Sequence, residues 1–303
     1  MIYGLDIGGT KIEIAIFNQQ LDLQERRRIP TPKISYSAFI DALVTLVTQA
    51  DEKYCVKGII GIGMPGIIDA NGLSLSANIP CVNNKNVAHD LGKRLDRKVA
   101  IENDCRCFAL SEAVDGAGKN YSNVYGAIIG TGAAGGFTIN QQLYTSRQGI
   151  AGEYGHMQLP ASLQQKYQLP IKACGCGLPN CFEGYISGPG ILFLHQHFGG
   201  DAVDVPTLVK RWHEGDALAT ITFECFLDIL GASFSTIVMA YDPDIIVMGG
   251  GISLIERVIE RLPTHIEAHL FTNFNSPQVI QAQFGDASGG RGAAILARQL
   301  HAV

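Results

Sequence analysis

The stretch Leu5-Asp6-Ile7-Gly8-Gly9-Thr10-Lys11 constrains this chain more than any other. Apolar residues flank it: Ile2, Tyr3 and Leu5 before, Ile12, Ile14, Ala15, Ile16 and Phe17 after. That pattern predicts a strand, a tight Gly-Gly turn and a returning strand. Adjacent glycines allow positive φ and leave no Cβ in the way. Their N–H groups can then face an anion, as in phosphate-cradling loops. Asp6 sits just before the turn, where a carboxylate can face a metal ion. A plain β-hairpin explains the same residues, so the rest of the chain must decide.

The pattern returns once. Residues 124–129 are apolar, Gly130-Thr131-Gly132-Ala133-Ala134-Gly135-Gly136 is a second small-residue turn, and Phe137-Thr138-Ile139 resumes an apolar run. Two such turns on opposite sides of a cleft can grip one polyphosphate from both ends. The length of 303 residues, with 35 glycines and 47% hydrophobic content, suits two α/β domains. The polar stretch 115–122 is a plausible boundary between them.

Between the turns, residues 57–63 read as a buried strand running into Met64-Pro65-Gly66. Ligands bind at such carboxyl ends in open α/β sheets. Phe39, Leu43, Leu46, Val47 and Ala50 recur at helical spacing over 35–51. Asn78-Ile79-Pro80 reads as a turn. A strand at 99–101 ends in Glu102-Asn103-Asp104, and a helix pattern follows over 105–113. A carboxylate there either caps the helix or serves as a general base. Local sequence alone favours the cap.

Further on come Gly152-Glu153-Tyr154-Gly155-His156 and Cys174-Gly175-Cys176-Gly177-Leu178-Pro179-Asn180-Cys181. Three close cysteines and a nearby histidine suit a closed, structural Zn²⁺ site. Cys55, Cys81, Cys105, Cys107 and Cys225 read as small core residues. Glu183 reads locally as an exposed carboxylate starting a helix. Helices are expected over 188–197 and 206–214, and a long, mainly apolar helix or helix pair over 217–240. A strand at 245–248 opens into Gly249-Gly250-Gly251 and a helix, a general nucleotide-site geometry. The net charge of -5 gives no electrostatic case for nucleic acid. No signal peptide is read, and no apolar run is expected to approach a membrane span. Eight cysteines without a leader point to a reducing cytoplasm.

Taken in order, these motifs resemble the ROK family of bacterial sugar kinases over nearly the whole chain. The match runs through DIGGTK at 6–11, PG at 65–66, ND at 103–104, GTG at 130–132 and GEYGH at 152–156. It continues in the cysteine cluster with Glu183, and in the Pro-Asp-x-Ile-Val-x-Gly-Gly-Gly run at 243–251. RIPTP at 28–32, CFALSEA at 107–113 and the GHM-x-LP run at 155–160 are most similar to N-acetyl-D-glucosamine kinases within it.

The resemblance implies an actin-like ATPase (RNase H-like) fold, two α/β domains around a cleft. Residues 1–118, joined by a C-terminal helix at 288–303, form one; residues 119–287, with the zinc knuckle, form the other. It implies ATP-dependent phosphorylation of N-acetyl-D-glucosamine at its C6 hydroxyl, in amino-sugar salvage or cell-wall recycling. Glucokinase, fructokinase and N-acetylmannosamine kinase are alternatives of the family; a non-catalytic sugar-binding regulator is one of another class. Zinc is expected on His156, Cys174, Cys176 and Cys181. Sugar contacts are expected from Asn78, Asn103, Asp104, Glu153, His156 and Glu183, with Asp104 as general base. ATP is expected on Gly4, Leu5, Asp6, Ile7, Gly8, Gly9, Thr10, Lys11, Thr131, Gly132, Ala133, Ala134, Gly135, Gly136 and Gly250. Mg²⁺ is expected near Asp6, directly or through water. A homodimer is expected, and no DNA-binding segment ahead of the first strand. The chain departs from the family pattern at Ala134, Arg106 and Asn180.

Overall fold

The computed structural model describes residues 1–144 and 146–301. Its principal elements through the first part of the chain are β1 (Ile2–Ile7), β2 (Lys11–Phe17), β3 (Leu23–Pro30), α1 (Tyr36–Tyr54), β4 (Ile59–Met64), α2 (Val87–Leu95), β5 (Val99–Asn103) and α3 (Asp104–Val114). There follow β6 (Asn123–Ile129), β7 (Ala133–Ile139), β8 (Gln142–Leu143), α4 (Gly188–His197), α5 (Ala217–Tyr241), β9 (Ile245–Gly249), α6 (Glu256–Glu267), β10 (Gln278–Gln281) and α7 (Ser288–His301). Of the helix expected over 288–303, positions 302 and 303 lie outside the described residues.

Two five-stranded sheets form, ordered β3-β2-β1-β4-β5 and β8-β7-β6-β9-β10. In the first, β1 pairs antiparallel with β2, and β4 lies parallel between β1 and β5. In the second, β9 lies parallel between β6 and β10. The two glycine turns thus occupy matching places, each between the first two strands of its sheet. Contacts divide the chain into two units. One holds Met1–Lys119, Gly136–Ala151 and Phe284–Val303; the other holds Asn120–Gly135 and Gly152–Gln283. This differs from the expected ranges in giving Gly136–Ala151 to the first unit. Arg106 is one reason, since its guanidinium donates to the Tyr144 carbonyl at 2.7 Å.

β3 and β10 form where no strand pattern is evident in the sequence. Residues 23–30 (LQERRRIP) lack an apolar face, because β3 is the edge of its sheet and half its side chains meet water. It is held by its ladder with β2 and by Arg28, which pairs with the buried carboxylate of Glu13. The membrane expectation also needs correction: α5 is 25 residues long and apolar enough to cross a bilayer. Most of it is buried, however, with Phe223, Phe226, Leu230, Phe234 and Ile237 inaccessible to solvent, so it is the core helix of the second unit.

In the first unit α7 lies on β1, β4 and α3 at backbone distance. A Cβ at Gly4 would overlap the Gly290 carbonyl, and one at Gly61 the Ala293 carbonyl. Glycine therefore permits a strand–helix approach that any side chain would block. Buried Glu112 fastens the start of α7, accepting from the Ser288 hydroxyl at 2.8 Å and the Phe284 N–H at 3.1 Å. Gly4→Ala is expected to cost about 1–3 kcal/mol, the scale of an overpacked core site, read as a lower denaturant midpoint with an unchanged m-value.

Candidate active site

The register of the first sheet aligns three carboxyl ends. Asp6 lies opposite Gly63 across β1 and β4, and Gly63 lies opposite Glu102 across β4 and β5. Asp6, the Met64-Pro65-Gly66 turn and the Asn103-Asp104 junction therefore leave the sheet at the same edge. The start of α7 reaches this edge too: a Cβ on Gly289 would stand 3.0–3.1 Å from the Asp6 carboxylate. Gly9 faces Asn78, whose carbonyl oxygen and Cβ lie 3.2 and 3.3 Å from where a Gly9 Cβ would be.

At the junction the cap and the acid separate. Asn103, 5% exposed, is the cap: its side-chain oxygen accepts from the N–H groups of Cys105 at 2.8 Å and Arg106 at 3.2 Å. Its amide donates to the Gly66 carbonyl at 2.9 Å, tying the two loops together. Asp104 is relieved of capping. It begins α3 half-buried, with one carboxylate oxygen accepting the Cys105 N–H at 2.9 Å. Burial raises its pKa above the ordinary aspartate value, and the Cys105 N–H only partly offsets this. Burial also raises Glu102, against the pull of Arg106. Arg106, 6% exposed, stands 3.2 Å from the Glu102 carboxylate and closes one side of the junction.

In the second unit the Gly-Thr turn is closed by Gly130 N–H to Gly132 O, 2.9 Å, and held by Gly188 N–H to Gly130 O, 2.8 Å. Glu183 completes this hold by accepting the Ala133 N–H at 2.9 Å. A Cβ on Gly132 would lie 2.8 Å from the same carboxylate oxygen, so the turn's small residue fits Glu183. Glu153 precedes and His156 ends the short 3₁₀ turn Tyr154–His156, with 3.9 Å between the Glu153 carboxylate and His156 Nε2.

Several residues expected on the nucleotide also pack closely within the protein. Gly4 packs on Gly290, and Leu5 and Ile7 are fully buried core side chains of β1. Ala133 is buried, and Gly135 lies where a Cβ would overlap the Gly126 carbonyl. Gly136 lies 2.8 Å, by the same measure, from the Arg106 backbone. Gly250 adopts φ 79° against the backbone of Ile129. Close packing explains these glycines; the half-buried or exposed Gly8, Gly9, Thr10, Lys11, Thr131, Gly132 and Ala134 remain accessible. Gly8 N–H is committed to the Lys11 carbonyl at 2.8 Å.

The cysteine cluster assembles. Ligand atoms of His156, Cys174, Cys176 and Cys181 all lie within 4.8 Å of one another. Cys174 Sγ is 3.5 Å from His156 Nδ1, and Cys176 Sγ is 3.6 Å from Cys181 Sγ. Ligands of a tetrahedral Zn²⁺ stand about 3.3–3.8 Å apart, given bonds of about 2.0–2.3 Å, so this donor set fits that ion. Asn180 takes left-handed backbone at φ 61°, which its side chain tolerates. Its amide also donates to Gln164 at 3.0 Å. The departure there leaves the knuckle intact.

A model described as the ROK family matches residues 2–300. The chain belongs to the ROK family. Over 302 residues, 100% of this chain and 98% of the relative, it is 48% identical to the N-acetylgalactosamine kinase AgaK of Shewanella sp. (strain ANA-3). Over 299 residues, 98% of this chain and 99% of the relative, it is 42% identical to the N-acetyl-D-glucosamine kinase of Salmonella heidelberg (strain SL476). A crystal structure of a ROK family glucokinase from Streptomyces griseus, in complex with glucose and AMPPNP, matches at TM-score 0.77 and 26% identity. That match covers 98% of this chain and 99% of the other. The fold is accordingly the actin-like ATPase fold of ROK proteins.

The raised Asp104 pKa carries a stability consequence. Its ionised form is disfavoured by folding, so the penalty is complete above the raised pKa and absent below the ordinary aspartate value. Asp104→Asn is expected to be more stable than wild type at pH 8, with the ionisation-dependent part of that gap closing by pH 3, as read by thermal unfolding at both pH values.

Proposed function

We propose that this chain transfers the γ-phosphoryl group of ATP to the C6 hydroxyl of N-acetyl-D-glucosamine, giving N-acetyl-D-glucosamine 6-phosphate and ADP in amino-sugar salvage. The observation that carries the reading is the division of labour at the α3 start: Asn103 caps the helix, leaving half-buried Asp104 with a carboxylate above its ordinary pKa. A base with that environment suits proton abstraction from a hydroxyl. Phosphoryl transfer otherwise asks for positioning and charge neutralisation.

In this reading Asp104 accepts the C6 proton as the hydroxyl oxygen attacks phosphorus. Asn78, Asn103, Glu153, His156 and Glu183 orient the sugar, Asn103 through the junction it caps. The accessible residues of the two glycine turns receive the polyphosphate. Asp6 would hold Mg²⁺, which supplies neutralisation of phosphate charge. His156, Cys174, Cys176 and Cys181 would hold Zn²⁺, which supplies a rigid frame for His156.

A second reading changes the sugar and keeps the chemistry. The relative at 48% identity is named for N-acetylgalactosamine, a substrate absent from the alternatives expected from sequence. The two amino sugars are C4 epimers and share the 2-acetamido group. A coupled ADP-release assay with N-acetylglucosamine, N-acetylgalactosamine, N-acetylmannosamine, glucose and fructose separates them. The highest kcat/KM is expected for N-acetylglucosamine. A higher value for its epimer replaces the first reading by the second, and sugar binding without ADP release from any of the five would support a regulator.

Asp104→Asn should retain sugar binding and lose about 10²–10⁴-fold in kcat, the usual contribution of a general base. Turnover near wild type would remove Asp104 from that role. Cys176→Ala should lower zinc content per chain and raise sugar KM, because losing one of the four donors removes the rigid frame that zinc would give His156. Unchanged zinc stoichiometry, measured by mass spectrometry of the native protein, would exclude the knuckle as the metal site.

A further inference from the structure

The turn at Gly8, Gly9, Thr10 and Lys11 is read above as a phosphate seat, and two acids, Asp6 and Asp104, leave the sheet at the same edge. Lys11 is the one cation so far assigned there. A site that transfers a phosphoryl group needs positive charge aimed at its oxygens, and Gly8 N–H is already taken by Lys11 O.

A second cation is built onto this turn from the segment that follows β3. Thr31 N–H donates to the Thr10 carbonyl at 3.0 Å, and the Thr31 hydroxyl donates to the Gly8 carbonyl at 2.7 Å. These bonds fasten the residues after β3 along the turn. Pro32 then restricts the backbone, and its carbonyl accepts the Cys81 thiol at 3.8 Å. The next residue, Lys33, carries its ammonium nitrogen to 3.7 Å from the point a Gly9 Cβ would occupy. Asn78 stands 3.2–3.3 Å from that same point. Lys33 is exposed and, among the described residues, makes no ion pair. An unneutralised cation held beside a glycine turn, with no carboxylate claiming it, is placed for an anionic ligand.

We propose that Lys33 is a catalytic residue that binds the β- and γ-phosphate oxygens of the nucleotide and neutralises charge as phosphoryl transfer proceeds. This rests on the ATP-dependent reading above. In the step, the bond from the sugar C6 oxygen to the γ-phosphorus forms. The bond from that phosphorus to the β–γ bridging oxygen breaks, and its electron pair leaves with ADP. The hydroxyl proton passes to Asp104, while Lys33 keeps its own proton. The exposed ammonium can follow the charge from γ-phosphate to the leaving β-phosphate without moving the backbone that Thr31 fixes.

The test compares Lys33→Met and Lys33→Arg with wild type. Calorimetry measures MgAMPPNP and AMP binding, and steady-state kinetics measures turnover. Hydrogen bonds to charged groups are worth about 1.5–3 kcal/mol, or about 10–150-fold. Lys33→Met should therefore weaken MgAMPPNP and lower kcat by factors in that range, while AMP affinity and sugar KM stay within about twofold. Lys33→Arg should recover most of the loss. Unchanged MgAMPPNP affinity in Lys33→Met overturns the proposal, as does an equal loss for AMP. A shift in sugar KM alone overturns it too, and assigns Lys33 to the sugar beside Asn78. The binding comparison stands apart from turnover. A wild-type chain that binds MgAMPPNP but phosphorylates no sugar removes the kinase reading only, and one that binds no MgAMPPNP removes both.

Discussion

The backbone contact between α7 and the first sheet is the constraint on which the Asp104 end of this unit depends. Gly4 and Gly61 let the helix lie directly on β1 and β4, and Glu112 fixes where the helix begins. That position brings Gly289 to the Asp6 carboxylate, where the positive end of the helix dipole favours a negative charge. The same strands run parallel and in register, so their ends deliver Asp6, the Gly66 turn and Asp104 to one edge. A side chain at either glycine would lift the helix and release that edge from its support.

Along that edge, hydrogen-bond assignment divides structural work from chemical work. Asn103 satisfies two otherwise orphaned N–H groups of α3 and holds the Gly66 carbonyl. Asp104 is left to keep a desolvated carboxylate. Arg106 guards the arrangement by pairing with Glu102 and reaching Tyr144. A buried ion pair is weak evidence for stability. Its place beside the junction suits the holding of geometry better. In the second unit Glu183 grips the Ala133 N–H and so holds the Gly-Thr turn. The cysteine cluster, which runs up to Glu183 in sequence, gathers four donors within 4.8 Å of one another.

Much was legible without coordinates. Gly-Gly between apolar runs has few alternatives to a strand–turn–strand, and the first turn formed where the pattern put it; the second is shorter than expected, its returning strand starting at Ala133 and not at Phe137. Helical spacing located α1 to within three residues of its end, and a long apolar run located α5 to within one, because both are local information. Three cysteines with glycines between them and a histidine upstream come together as the spacing implied. The strands β3 and β10 escaped because one is an edge whose side chains face water and the other is short.

The sequence alone determined the inventory: two turns, a carboxylate at a strand end, a thiolate cluster, and glycines in excess of what turns require. Only the tertiary structure decided their assignments, because those depend on which backbone atoms meet across sequence distance. Gly4 proved to be a packing surface for a helix 286 residues later. Gly135 and Gly136 proved to lie where any side chain would meet neighbouring backbone. Asn103 and not Asp104 proved to be the cap, and Lys33 came to lie beside Gly9 through two hydrogen bonds of Thr31. Residue type states what a group can do; the packing of distant segments states which group is left free to do it.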